Sequence, residues 1–474
     1  MPFHSLTFLT FFLLVVILYY LITPKYRWLV LLSSGMIFYA WLIPAYLIVA
    51  ALMMAGTWLT AIGAEKYAEK GKSLIIAWGI TLILILLISF KYTAFLSANL
   101  EHLAAAAGLH YPLHIVRWIL PLGISFQSFM AISYLLEVKR GNIKAERHPG
   151  IFALYLMFFP VLASGPIERP QHLLPQFRET HRFDVPGISS GLRLMIWGFF
   201  KKLVIADRLG VFVNIVYQDA QTYQGLPLIW ATFFFMFQVY VDFSAYTDIA
   251  RGSAKVLGFR LSENFNSPYF STSVTEFWRR WHMSLSGWLR DYLFMPLSVK
   301  FRRAGRWGQA LALMITFLIC GIWHEAGWTF LIWGGLHGLV MVAESLLIKK
   351  RKKGNEKYRI IRRIPGIMLT FLFLLFTWVL FRSPDLETAQ HIFTSFWKQD
   401  HRGLIGVPVI TPYSFLLSQM AVMLILLADL VRTGETFRKW SEKRWSRYLF
   451  VYLCLLMILL FGIFEQSDFV YTRF

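Results

Sequence analysis

Apolar runs of membrane-spanning length recur from one end of the chain to the other, separated by short loops rich in Lys and Arg. About 20 apolar residues in a helix cross the roughly 30 Å of bilayer hydrocarbon. Roughly a dozen segments approach that length. In chain order they are 6–22, 28–43, 46–62, 74–90, 119–136, 151–163, 192–205, 228–241, 310–323, 329–347, 367–381, 415–431 and 448–464. Pro44 marks a tight turn between the second and third. Segment 96–109 is alanine-rich and carries Glu101 and His102, which is too weak a pattern for a span.

Three interruptions shape this pattern. Lys201, Lys202 and Arg208 suggest a cytoplasmic turn between 192–205 and 228–241. From Asp242 to Arg306 the long apolar runs stop and basic residues gather, so this region is expected to be cytoplasmic or re-entrant. In 164–177, SGPIERPQHLLPQF, three prolines deny the backbone a regular helix, and Glu168 and Arg169 sit beside an apolar segment. Irregular backbone at membrane depth survives only when buried in protein or lining a cavity. A surface loop following a span satisfies the same pattern.

Composition agrees with the spans: the chain is 57% hydrophobic and only 15% charged, with a mean hydropathy of +0.54. No soluble domain hides so much apolar surface. The fold class is therefore all-α, a polytopic integral membrane protein, with no repeat or linker dividing residues 1–474 into separate domains. The net charge of +21 lies in short loops beside apolar segments, as the positive-inside rule produces. Nucleic acid is not needed to explain it. Basic loops at 349–363 and 432–447 share the cytoplasmic side, and the nearly balanced loop between the two spans that separate them faces outward. The first segment lacks a basic leader and cleavage site and is expected to be retained. Cys320 and Cys454 both lie in apolar runs and form no disulfide framework or metal site.

The candidate chemistry lies between Thr275 and Gly338. On a helix over 275–291, Thr275, Arg279, His282, Ser286 and Arg290 share a polar face opposite Phe277, Trp281, Leu285 and Trp288. Such a helix either binds substrate or rests at the membrane interface with snorkelling arginines. His324 demands more, because a charge at the centre of a membrane helix costs roughly 2.5–3.5 kcal/mol and usually marks a pathway or site. A helix over 310–323 rises about 21 Å from the basic break, which stops His324 short of the far surface. Glycines 321, 327, 334, 335 and 338 allow close backbone approach there, or room for a ligand. His324-Glu325 begins like a zinc-binding helix, but Trp328 stands where the second histidine would be, so no metal is expected. Cys320, four residues earlier, fits a small buried residue better than a nucleophile. What remains is general-base chemistry: a neutral imidazole takes the proton of an acceptor hydroxyl while that oxygen attacks an activated acyl carbonyl. His282 is the candidate second group, stabilising the oxyanion or holding the donor.

These stretches resemble the membrane-bound O-acyltransferase family, most closely the bacterial branch typified by the membrane subunit of alginate O-acetylation. The likeness rests on SGPIERPQHLLPQF (164–177), VDFSAYTDIARGSAKVLGF (241–259), ENFNSPYFSTSVTEFWRRWHMSLSGWLRDYLFMPL (263–297) and GIWHEAGWTFLIWGGLHG (321–338). It implies a helical bundle around a buried cavity in the cytoplasmic (inner) membrane. It also implies a signature catalytic residue at His324, with a second activity-linked histidine at His282. The activity implied is passage of an acyl group, expected to be acetyl, from a cytoplasmic thioester such as acetyl-CoA toward an exported or cell-wall polysaccharide. No cofactor is expected to stay bound, and a separate extracytoplasmic acetyltransferase is the expected partner. Arg279, Arg280 and Arg290 become candidates for the coenzyme A phosphates, and Ser286 for a substrate contact, with positive-inside charge as the competing account of the arginines.

Close relatives carry a glycine pair where this chain has Ser298-Val299, and a glycine where it has Glu325. The latter places a carboxylate beside the supposed base, where it raises or orients the imidazole. Two other activities share part of the pattern. One is D-alanyl transfer to teichoic acid from a carrier-protein thioester. The other is transport without covalent chemistry, with the histidines as relays.

Overall fold

The computed structural model describes residues 1–109, 118–162, 165–347, 363–398, 407, 411–432 and 443–464. It is built from helices, with no strand among the described residues. Eight described helices are long and apolar enough to cross a membrane, and Leu6–Leu21 is a shorter apolar one. The protein is an all-α, multi-pass membrane protein. The basic loop 349–362, the core of the loop 432–447 and the C-terminal stretch from Glu465 lie outside the described residues.

The chain packs as two compact units. The first comprises Met1–Leu192 with Ala250–Ser262. Within it, Gly35 lets helix Arg27–Ala40 rest on the backbone of Pro149–Met157, since a Cβ there would stand 1.8 Å from the Met157 carbonyl oxygen. Helix Ile124–Arg140 starts five residues later than the hydrophobic pattern suggests, because Gly123 turns the backbone left-handed (φ 68°) just before it. Thr93–Ala106 is helical but is not among the membrane-length helices, as its weak pattern implied.

The proline-rich stretch is more regular than expected. Pro170–Gln176 forms a short helix, with Pro170 at its first turn where a missing N–H costs nothing, and Pro175 inside it. Before it, the fully buried Glu168 carboxylate accepts from the backbone N–H of Ser262 and bonds the His172 ring, while the Tyr155 hydroxyl donates to the Glu168 carbonyl at 3.0 Å. The extended segment is therefore held through the buried Glu168 carboxylate and Tyr155 hydroxyl, as irregular backbone inside a membrane protein requires.

The second unit comprises Arg193–Ile249 and Glu263–Phe474. Here the expected cytoplasmic turn at Lys201, Lys202 and Arg208 is corrected. Helix Val185–Phe200 runs without a break through a π-helical segment, Lys201–Ala206, into helix Asp207–Gln218. Both lysines are buried. Lys202 Nζ lies 2.9 Å from each of Asp207 and Asp242, and Lys201 Nζ lies 2.8 Å from Asp248 and donates to the Ser244 hydroxyl. The same pairing explains the second correction: the apolar run does not end at Asp242, because helix Leu226–Val256 continues straight through it. Carboxylates that find ammonium partners on the neighbouring helix have no need to turn out to water.

Candidate active site

The helix that ends on His324 is longer than the sequence suggests. It spans Gly305–His324, 20 residues, so length does not stop it short of the membrane surface. Packing sets the histidine's position instead. Gly321 faces Phe330 and Gly334 faces Phe317 so closely that a Cβ at either would lie 2.2 and 2.3 Å from the opposing carbonyl oxygen. Helices Gly305–His324 and Trp328–Leu347 thus meet backbone to backbone. Only glycine permits this approach at those two positions. Glu325, in extended conformation, is the first residue beyond the helix and is partly buried.

His324 is 2% exposed. Its ring packs against Trp323, Trp333 and Phe381, with centroids 4.9, 5.2 and 5.3 Å away. His282 is fully buried, edge-on to Phe243 at 4.7 Å and 6.5 Å from the same Trp323. Trp323 is therefore a wall common to both histidines.

The continuous helix expected over 275–291 does not form, which is a further correction. Helix Val274–Trp278 ends, His282 takes a left-handed conformation (φ 39°), and a new helix, Met283–Leu289, begins behind it. That conformation costs a non-glycine residue roughly 1–2 kcal/mol, and its surroundings enforce it. The Asn264 carbonyl accepts from Met283 N–H at 2.9 Å, and Asn264 Oδ1 accepts from Ser284 N–H at 3.1 Å. Neighbouring Trp281 is locked among Phe265, Phe277 and Trp378 at 5.1–5.3 Å. The break turns His282 off the supposed polar face and into the aromatic interior.

Asn264 also defines the tautomer. Its oxygen must face the Ser284 donor, and the same oxygen lies 3.4 Å from His282 Nδ1. The hydrogen is accordingly assigned to Nδ1, which leaves the lone pair on Nε2. Burial lowers the proton affinity of His282, so the ring stays neutral.

The remaining predicted residues do not converge on the histidines. Arg279 and Arg290 are exposed, and Arg290 pairs with Asp291 at 2.8 Å. Arg280 pairs with Glu276 at 2.6 Å. Burial opposes ionisation of Glu276, but the Thr272 hydrogen bonds and the Arg280 and Arg363 charges outweigh it and hold the carboxyl below the usual range. The Ser286 hydroxyl donates to the Trp281 carbonyl at 3.1 Å, so it supports the histidine turn. Cys320 is fully buried.

Several supporting residues escaped the sequence reading. Asn264 lies in a quoted motif but carried no role there. Glu344 accepts from Val274 and Thr275 N–H at 2.7 and 2.9 Å, capping the helix before the turn. His337, 1% exposed, accepts the Trp278 indole N–H at Nδ1 and packs tilted against Trp333, with centroids 4.6 Å apart. A histidine within IWGGLHG is the one of these that an apolar context could have flagged.

Two buried imidazoles sharing an aromatic wall inside a helical membrane protein suit proton transfer to and from an oxygen nucleophile, the chemistry of acyl transfer. The comparisons place that chemistry in a class. The profile of the membrane-bound O-acyltransferase family matches residues 33–383, across all the motifs above, and the chain belongs to this family. It is 36% identical over 402 residues to a probable alginate O-acetylase, AlgI, of Azotobacter vinelandii, covering 84% of this chain and 78% of the relative. It is 31% identical over 415 residues to a peptidoglycan O-acetyltransferase of Helicobacter pylori, covering 81% and 74%. A teichoic acid D-alanyltransferase of Bacillus subtilis is 27% identical over 351 residues, covering 70% and 85%. The protein is a membrane O-acyltransferase.

Proposed function

We propose that this acyltransferase moves an acetyl group from a cytoplasmic thioester, acetyl-CoA or another acyl carrier, for O-acetylation of an exported or cell-wall polysaccharide. The observation that carries the reading is the pair of buried histidines on the common wall of Trp323. Placement in the cytoplasmic membrane belongs to the same reading, and the basic loops support the inward orientation of that side. A separate extracytoplasmic acetyltransferase that finishes the transfer belongs to the same reading.

His324 serves as the base. It takes the proton of the acceptor hydroxyl as that oxygen attacks the thioester carbonyl carbon, and a tetrahedral oxyanion forms. The C–S bond then breaks, and the imidazolium returns its proton to the departing thiolate, so the acyl ester and free thiol are the products. With its hydrogen toward Asn264, His282 offers an Nε2 lone pair. It therefore orients a hydroxyl or amide N–H of a substrate, a part better suited to this tautomer than donation to the oxyanion. Glu325, next in sequence, tunes the base. Arg279 and Arg290, exposed on the segment that is expected to face the cytoplasm, suit the phosphates of the donor.

Cells lacking the protein, complemented with wild type or His324→Ala, test this reading. Ester-linked groups are released from surface polymers by mild base and identified by mass spectrometry. Wild type restoring acetyl, with His324→Ala restoring none, supports it. Release of D-alanine would move the acyl group to the teichoic acid branch, and equal restoration by both proteins would remove His324 from the chemistry.

A further inference from the structure

The five-residue helix Val274–Trp278 is held at both ends by one membrane helix, Trp328–Leu347. Glu344 accepts from the Val274 and Thr275 N–H groups at its start, and His337 Nδ1 accepts the indole N–H of Trp278, its last residue, at 3.2 Å. Trp333, His337 and Glu344 stand at i, i+4 and i+11, so all three lie on one face of the longer helix. Trp333 is the ring edge-on to His324 at 5.2 Å, and it also packs on Trp278 and His337, at 5.8 and 4.6 Å. Trp278 comes four residues ahead of His282, whose left-handed turn follows directly on the end of the short helix. His337 thus sits where two paths join, one through Trp333 to His324 and one through Trp278 to His282.

We propose that His337 is a positioning residue that fixes His282 relative to His324 through its bond to Trp278. An indole N–H only donates, so Nδ1 of His337 carries the lone pair that receives it, and the ring hydrogen is assigned to Nε2. With Nδ1 engaged and Nε2 bearing the hydrogen, this ring has no lone pair to spare for a reacting proton. Base chemistry therefore stays with the other two histidines. A misplacement of about 1 Å can cost about a hundredfold in rate, so one hydrogen bond at this joint governs turnover without touching a substrate. Packing of Trp278 on Phe317, at 5.1 Å, also holds the short helix. The bond and the packing separate in the kinetics.

The assignment rests on the acyl-transfer reading, and the experiment keeps the two apart. Source cells lacking the protein are complemented with wild type, His337→Phe, His337→Asn, Trp278→Phe or the His337→Phe, Trp278→Phe double variant. Inside-out membrane vesicles are made from each, enclosing an extract of the same cells, so that the acceptor and any enzyme completing the transfer are present. Acetyl-CoA with a labelled acetyl group is supplied at the cytoplasmic face, and ester-linked label is measured per molecule of folded protein. His337→Phe keeps a ring in place but loses the acceptor, and should lower kcat about ten- to a hundredfold with the KM for acetyl-CoA unchanged. His337→Asn, whose Oδ1 replaces Nδ1 as acceptor, should recover part of the loss. Trp278→Phe removes the same bond from its other end, so the double variant should be no slower than the slower single one. Losses that multiply in the double variant, a rise in KM alone, or a fall confined to the amount of folded protein would each overturn the positioning role alone. Wild-type vesicles that leave acetyl-CoA intact would remove the acyl-transfer reading and the positioning role with it. A misfolded His337→Phe leaves Trp278→Phe to report on the same bond.

Discussion

The second unit buries ionisable side chains in two places and solves the desolvation problem differently in each. At Lys201–Ala206, two lysines pair with three aspartates, with Lys202 held between Asp207 and Asp242. Around Trp323, two histidines lie inside a shell of aromatic rings. Charges that neutralise one another are committed to structure. A neutral imidazole in an apolar cage keeps its lone pair for a reacting proton. The two regions adjoin, since Asp242 and Phe243 are consecutive on helix Leu226–Val256 and Phe243 is the ring against His282. The paired charges therefore anchor the helix that supplies one wall of the histidine site.

Removing groups from each region sharpens the contrast. His324→Gln, which refills most of the ring's volume, should lower acyl transfer by about 10²–10⁴-fold, the usual worth of a positioned general base, while shifting the thermal midpoint little. Purified protein with a thioester donor measures the first, and a melting curve in detergent the second. A large drop in the midpoint would mean that His324 is part of the packing. Lys202→Met should do the reverse, costing about 3–5 kcal/mol of stability by stranding two buried carboxylates. The triple change Lys202→Met, Asp207→Asn, Asp242→Asn should recover much of it. No recovery would show that pairing is not what holds the segment.

Asn264→Ala sits between these extremes. It should cost about 1–3 kcal/mol by leaving Ser284 N–H unsatisfied, and it should impair transfer more than stability, because the left-handed turn at His282 loses its support. A variant with normal transfer would argue that the turn is set by aromatic packing alone. The smallest effect is expected from Arg290→Gln. Its partner Asp291 is close, Arg290 is exposed and Asp291 only partly buried, so stability should change by less than about 0.5 kcal/mol. Any rise in KM for the thioester, lessened at high salt, would assign it to the donor phosphates.

Much was legible in the sequence because a bilayer narrows the choices. Apolar runs must be helices, and short basic loops indicate orientation. His324 was conspicuous for the same reason, as an ionisable residue in an apolar run. The long interruptions misled because periodicity treats every charge as bound for water. Lys202 and Asp242 are 40 positions apart, and only the packing of their two helices reveals that each answers the other. The polar face assigned to 275–291 failed likewise. Helical spacing assumes an unbroken helix, whereas Asn264, 18 residues earlier, holds His282 left-handed and turns it inward. The sequence by itself determined that the chain crosses a membrane many times and that His324 is exceptional, because hydropathy is a local property. The tertiary structure alone decided that His324 and His282 share Trp323 and that the lysines stay buried, because both depend on contacts between residues far apart in the chain.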